Sequence, residues 1–329
     1  MPITIYADAN IYRYVATGEL EIITIGNVQF GYSNIHFEEM IRTGNTEMLK
    51  GMEALRAVPI VTNENGEHDI DSIGVCLEYK DPFDNYEEYQ KNRIPTEEQE
   101  ASLNELLLRF LGADNLSELR NVPQSIIDIA DEAMEYGGTE AEKLATKARN
   151  VATDMKGFIE NDLSDRRPLA ETRKEFGYPK GATSIHNNDE NPLKAIWARL
   201  EPKFSEATRD QFFGFEPIPG VEVEKTRLGE VAGCHLILNM LGYHPDNGLP
   251  KREKIRNIVS DGQHLGYGSI CGGFLTSDHR LYKKAKAIFE YRNYESQALH
   301  VKYKNEGMSV TLVEPGAIKK FRLERDNGT

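Results

Sequence analysis

Acids at four places in the chain, one of them the adjacent pair Glu38–Glu39, stand where chemistry could be done. Asp8 follows an apolar run at residues 3–7, and Asp278 follows another at residues 273–276. Glu38 and Glu39 fall on the helix expected after a second strand. Asp261 is expected to open the helix that precedes the strand ending at Asp278. In open parallel α/β sheets ligands bind beyond the carboxyl ends of the strands, so acids placed there from opposite ends of the chain would converge. Oxygen donors with no histidine or cysteine among them suit Mg2+ or Mn2+. Like charges held together repel, so a cation is the physical expectation where such acids meet. Each acid alone has a plainer reading, because aspartate caps helices and strand ends by accepting from free N–H groups. Their shared order and context raises the functional reading.

The elements that would position these acids are short and alternate along the chain. Strands are expected at residues 3–7, 28–32, 58–61, 273–276 and 309–313. Helices are expected at 10–14, 34–42, 46–55, 228–241, from Asp261 onward, and at 281–289. Such alternation argues for an α/β fold, a three-layer α/β/α sandwich with a mostly parallel sheet covered on both faces. Residues 1–62 and 221–329 would build it together. Residues 63–220 are rich in charged residues and read as a mainly helical insertion, with helices at 97–111, 124–136, 139–160 and 193–200. Leu103, Leu106, Leu107 and Phe110 share a helical face, which suits packing on a partner surface.

At roughly 100–200 residues per domain, the 329 residues suggest two domains or one with a large insertion. The net charge of -14 excludes a generally basic nucleic-acid coat protein but leaves room for a local basic groove. Cys76, Cys234 and Cys271 lie far apart and make neither a disulfide framework nor a CxxC zinc pattern. The opening MPITIYADANIY has no basic segment followed by a long apolar one, and the apolar stretches are strand-sized. A soluble, reducing, cytoplasmic setting is the default expectation.

Four pieces of the chain resemble the PIN-domain nucleases, a family of toxin ribonucleases and RNA-processing endonucleases. The first is ITIYADANIY, with Asp8 and Asn10 as the opening D-x-N. The second is YSNIHFEEM, where S-x5-E from Ser33 selects Glu39 over Glu38. The third is SDGQHLGYGSICGGFLTSDHRLYKKAKAI, with Asp261, then T-x-D at Thr276 and Asp278, then a basic helix. The closing strand SVTLV is a weaker fourth. The large insertion departs from a usually compact family. The resemblance implies a Mg2+- or Mn2+-dependent endonuclease acting on RNA, with Asp8, Glu39, Asp261 and Asp278 as catalytic and metal-holding acids. Products would carry 5′-phosphate and 3′-hydroxyl ends. A divalent ion there would acidify a water and stabilise charge on the phosphate, so no histidine base is required.

Several residues could contact substrate in such a site. Thr276 or Ser277 could orient water or phosphate, against the plainer reading of a β-branched strand residue. Asn10 reads more as a brace beneath Asp8. Arg280, Lys283 and Lys284 open a helix whose acids are few and could steer a phosphate backbone, or could form a solvated face. His36 and His264 each lie three residues from a proposed ligand and read as structural histidines. Cys234 and His235 read as core. Trp197 reads as a core anchor more than a base-stacking ring. Gly266–Gly273 lacks the P-loop pattern, and its small residues suit close helix packing. A different Mg2+-dependent phosphohydrolase is disfavoured because Asp8–Ala9–Asn10 lacks a second acid. The remaining alternative is a catalytically silent scaffold that binds a protein or nucleic-acid partner, for which the acidic insertion would serve.

Overall fold

Ile3–Ala7 (β1) is apolar and β-branched, and its last four residues are buried, as a central parallel strand requires. In the computed structural model β1 lies in a sheet with Val28–Tyr32 (β3), Val58–Pro59 (β4), Gly273–Thr276 (β5) and Gln297–His300 (β6). The strand order is β4–β3–β1–β5–β6, and every pairing is parallel. The fold is therefore α/β on a five-stranded all-parallel sheet, compatible with a three-layer sandwich. The structure describes residues 2–60, 78–93, 122–135, 138–161, 169–178, 180–182, 191–204, 207–217, 226–246, 252–301 and 308–313. The helix expected at 97–111, with its Leu103–Phe110 face, lies outside them, as do Cys76 and Val61. No described helix is long and apolar enough to cross a membrane.

One strand expectation is corrected, and two strands are added to those expected. The closing strand, Met308–Val313 (β7), does not join the main sheet. It pairs in parallel with Leu20–Ile25 (β2) in a separate two-stranded sheet. β2 is absent from the reading above, although LEIITI is itself a β-branched run. The edge of the main sheet beyond β5 is β6, whose QALH sequence has no apolar run to announce it. It is held by register, from Gly273 opposite Gln297 to Thr276 opposite His300.

The helices follow from capping and small-residue contacts. Ala9–Ala16 (α1) starts directly after Asp8 and packs on Met48–Ala54 (α3). Contact is closest at Gly51, where an added Cβ would lie 2.0 Å from the Tyr12 carbonyl oxygen. Gly51→Ala must therefore push the backbones of α1 and α3 apart. A loss of about 3 kcal/mol is expected from overpacking, read as a lowered urea midpoint. Asn34–Thr43 (α2) follows β3 and ends at Gly44, which takes the left-handed conformation. Pro82–Asn92 (α4) is capped by Asp81, whose side chain accepts from the Phe83 and Asp84 N–H groups.

Later helices are Val122–Glu135 (α5), Thr139–Asn161 (α6), Leu169–Glu175 (α7), Pro192–Leu200 (α8) and Arg209–Phe212 (α9). Arg227–Leu241 (α10), Arg252–Ile270 (α11) and His279–Arg292 (α12) complete the described set. The expectation that Asp261 opens a helix is corrected: α11 begins at Arg252, and Asp261 lies well inside it. Ile255, Ile258 and Leu265 are buried at helical spacing, so one apolar face runs through the Ser-Asp-Gly segment that resembles a cap.

The chain divides into two compact units. The first comprises Met1–Arg93, Ala182–Pro245 and Ile258–Thr329, and the second Ile94–Gly181 and Asp246–Asn257. In the second unit α5 and α6 pack on each other. The first unit takes in α4, α8 and α9, which the composition had assigned to an insertion at 63–220. Tyr86 and Tyr89 of α4 place their rings 5.4 and 5.5 Å from that of Phe37 on α2. The charged composition of α4 is that of a covering helix with one aromatic face. The core around β1 joins Ile5, Ala7, Ile11, Tyr12, Phe30, Phe37, Met40 and Leu275.

Candidate active site

β1 and β5 are neighbours, and the chain leaves β1 toward β3 on one side and β5 toward β6 on the other. The reversal of strand order falls between their carboxyl ends, where open parallel sheets form a crevice. Asp8 and Thr276–Asp278 occupy that point. The Asp8 N–H donates to the Leu275 carbonyl at 2.9 Å, which fixes the end of β1. Buried Thr276 donates through Oγ1 to Asp8 Oδ2 at 2.8 Å and accepts from the Asp278 N–H at 3.0 Å. Thr276 thereby ties the two acids together. Asp278 also caps α12, accepting from the Arg280 and Leu281 N–H groups at 2.6 and 3.0 Å, both on Oδ1.

Glu39 reaches the same place from α2. Its Oε1 accepts from the Ser260 hydroxyl at 2.6 Å and lies 3.4 Å from His264 Nε2. A carboxylate only accepts, so that His264 nitrogen carries the proton. His264 Nδ1 is 2.7 Å from the Tyr6 hydroxyl, which is 2.7 Å from Ser33 Oγ. The result is a buried polar line from Glu39 through His264 and Tyr6 to Ser33. Arg13 and Arg42 approach Glu39 at 3.7 and 3.8 Å. Arg13 also donates to Asn10 Oδ1 at 3.2 Å, so Asn10 braces a residue that faces Glu39.

The two buried acids are pushed in opposite directions. Burial raises the Asp8 pKa. His264 and the Thr276 hydrogen bond oppose that, while Glu39 and Asp278 add to it, and the result is a rise. Burial would raise Glu39 too, but the hydrogen bond and charge of His264, with Ser260 and His36, hold it well below the usual carboxylate range. Acid and base roles at one site are commonly separated by such a divergence.

His36 is structural, as expected. Its Nε2–H donates to the Ala7 carbonyl at 2.9 Å, and its Nδ1 accepts from the Ser33 N–H at 3.2 Å. Burial, then His264, pushes its pKa down to about 3. The folded chain thus binds fewer protons than the unfolded one between about pH 6.5 and 3, and this part of the stability is lost as pH falls through that window. The His36 ring is expected to show no titration between pH 5 and 8 in imidazole 15N spectra.

Other expected residues are separated by helix geometry. Glu38 turns away from Glu39. It receives Arg93 Nε at 2.9 Å and Nη2 at 3.0 Å, and also the Tyr89 hydroxyl. α11 presents Ser260 and His264 to Glu39. Asp261, one position on, brings a carboxylate oxygen within 4.8 Å of a ring nitrogen of His235 on α10. Lys284, expected among the phosphate-contacting cations, is fully buried and donates to Asn239 Oδ1 at 3.2 Å. Arg280 and Lys283 remain part-exposed, as does Ser277, whose carbonyl lies 3.3 Å from His300 Nε2. Trp197 is buried in the first unit with its ring 5.7 Å from Phe212. Gly268 packs against β5: an added Cβ would lie 2.6 Å from the Phe274 ring.

Ser260 and Tyr6 were not anticipated. The available signal was the i, i+4 spacing of Ser260 and His264, which puts both on one helix face once the helix is extended back to Arg252. The chain was compared with protein-family models, curated proteins and solved structures, and none of them matches it.

Proposed function

We propose that the chain is a divalent-metal-dependent endonuclease of the PIN type, acting on RNA in the cytoplasm. In this reading the five-stranded sheet is the centre of a three-layer PIN-like sandwich, and the helical second unit binds a protein partner or has a regulatory role. The observation that carries the reading is the placement of Asp8 and Asp278 at the β1/β5 switch point, tied together by Thr276, with Glu39 near enough to act on the Asp8 charge. Asp8, Glu39 and Asp278 offer the oxygen donors that Mg2+ or Mn2+ takes, and the raised Asp8 carboxyl is a cost that a cation would remove. Their ligand atoms do not all lie within 4.8 Å of one another, so an ion would have to draw them together. When bound by Asp8, Glu39 and Asp278, such an ion supplies Lewis acidity toward the phosphodiester and acidifies the attacking water.

The chain's own residues do the remaining work. Thr276 holds the Asp8 carboxylate and the backbone of Asp278 in one orientation. Ser260 and His264 keep Glu39 ionised and aimed inward. Arg280 and Lys283 offer charge to the phosphates beside Asp278. Asp261, which lies by His235, is left out of this set.

One observation favours a second reading. Glu39 is already satisfied by Ser260, His264 and two arginines, as in a silent scaffold that needs no cation. The deciding experiment is cleavage of end-labelled single-stranded RNA and DNA with Mg2+, Mn2+ or EDTA, beside an Asp278→Asn variant. Cation-dependent cutting that vanishes in the variant supports the nuclease. Equal products from both proteins, or none with any cation, sink it.

A further inference from the structure

Four rings cluster next to Asp278 in the first unit. His279, the first residue of α12, has its ring 5.2 Å from His300 and 6.1 Å from His244. Tyr282, one helical turn on, stacks on His300 at 5.1 Å with 22° between the ring planes. His300 is the last residue of β6 and pairs in register with Thr276, so the cluster sits at the same sheet end as the acids. The Ser277 carbonyl lies 3.3 Å from His300 Nε2 and holds that ring. His279 is exposed and the other three rings are part-exposed, so the cluster meets solvent.

Its charge is opposite to that of the whole chain. Lys283 holds its ammonium 5.9 Å from the centre of the Tyr282 ring. Burial, then Lys283, His279, Lys284 and Arg280, lowers the His244 pKa to about 4. His244 is therefore a neutral ring at pH 7, set among cations in a chain of net charge -14. Unpaired bases stack on flat side chains, and cations beside those side chains take the phosphates between the bases. A duplex hides its base faces and could use only the cations.

We propose that His244, His279, Tyr282 and His300, with Arg280 and Lys283, form a platform that holds a single-stranded nucleic acid beside Asp278. Bases stack on the rings, and phosphates meet Arg280 and Lys283. The proposal rests on the nuclease reading for its purpose, and on the ring cluster for its substance. RNA and DNA share the chemistry, since the rings read base faces and the cations read phosphate.

The test is fluorescence anisotropy of the full chain with labelled ten-nucleotide RNA, the same DNA, and its duplex, all in EDTA so that nothing is cut. The single strands are expected to bind more tightly than the duplex. His279→Ala and Tyr282→Leu are each expected to weaken single-strand binding about 5- to 100-fold. Lys283→Gln is expected to reduce the salt slope by about one. Lys286→Gln, whose ammonium lies 3.5 Å from Glu290 on the same helix, should leave affinity unchanged. The exposed position of His279 keeps the test available if Tyr282→Leu disturbs folding, which melting curves would show. Wild-type affinity in His279→Ala, or a duplex bound as tightly as the single strand, overturns the platform. Cleavage that persists with unchanged affinity in the ring variants overturns the platform and leaves the nuclease standing. Ring-dependent binding without cleavage in any cation supports the platform and removes the nuclease.

Discussion

Asp8→Asn is expected to abolish cation-dependent cleavage while raising thermal stability. Asparagine keeps an oxygen for the Thr276 hydroxyl, which now donates to Asp8 Oδ2 at 2.8 Å, so the crevice keeps its shape. What is lost is the charge that a divalent ion would meet at the end of β1. Removing one directed electrostatic contact of this kind costs on the order of 100- to 1,000-fold in rate, and Asp8 is the most central of the acids. The stability change has the opposite sign. Burial, with Glu39 and Asp278, raises the folded-state pKa of Asp8 above its ordinary 3.8. The stability that Asp8 contributes is therefore complete below that value and is lost as pH rises through the raised one. At pH 7 the ionised group is a burden, which asparagine removes. Scanning calorimetry at pH 7 should show a higher Tm for Asp8→Asn, with the gain shrinking toward pH 4. An unchanged cleavage rate would remove Asp8 from the chemistry, and a lowered Tm would mean that its charge is compensated in the fold.

Glu39→Gln is expected to destabilise the protein, although it too removes a buried negative charge. Glu39 is surrounded by donors: Ser260 at 2.6 Å, His264 at 3.4 Å, and Arg13 and Arg42 just beyond. Hydrogen bonds to a charged group contribute about 1.5–3 kcal/mol, and glutamine retains only the uncharged part. A loss of about 1–3 kcal/mol at pH 7 follows. Because the folded-state pKa lies below the ordinary 4.5, this stability is present above pH 4.5 and fades as the solution becomes more acidic. Urea titrations from pH 7 down to pH 3.5 would show the variant and the parent converging. Equal midpoints at pH 7 would mean that the arginines and His264 are as well hydrated without Glu39 as with it. Opposite signs for Asp8→Asn and Glu39→Gln in one crevice are a stringent check, because no uniform effect of removing charge produces both.

Much of the framework was legible in the chain. Local apolar runs marked β1, β3 and β5, and the acids that follow β1 and β5 read as crevice residues because a parallel sheet exposes those ends. The same reasoning overlooked β6, since an edge strand needs no apolar run when register to β5 holds it. It misassigned β7, because strand propensity does not say which strand will be the partner. It also assigned α4 to an insertion, since composition averages over a helix and hides the two tyrosines that lie on Phe37.

The sequence by itself determined that carboxylates would end two central strands, that a basic helix would follow Asp278, and that the fold would be α/β. These are short-range properties: alternation, capping and strand length. The S-x5-E register from Ser33 already pointed to Glu39 over Glu38, but for the other adjacent pairs only the tertiary structure decided which member faces the site. Glu39 enters and Glu38 pairs with Arg93; Ser260 meets Glu39 and Asp261 meets His235; Lys283 stays at the surface and Lys284 is buried against Asn239. On a helix with 3.6 residues per turn, neighbours point about 100° apart. Residue type at two adjacent polar positions therefore carries little local signal of direction. Packing of α2, α11 and α12 against the sheet sets the rotation of each helix, and with it the composition of the site.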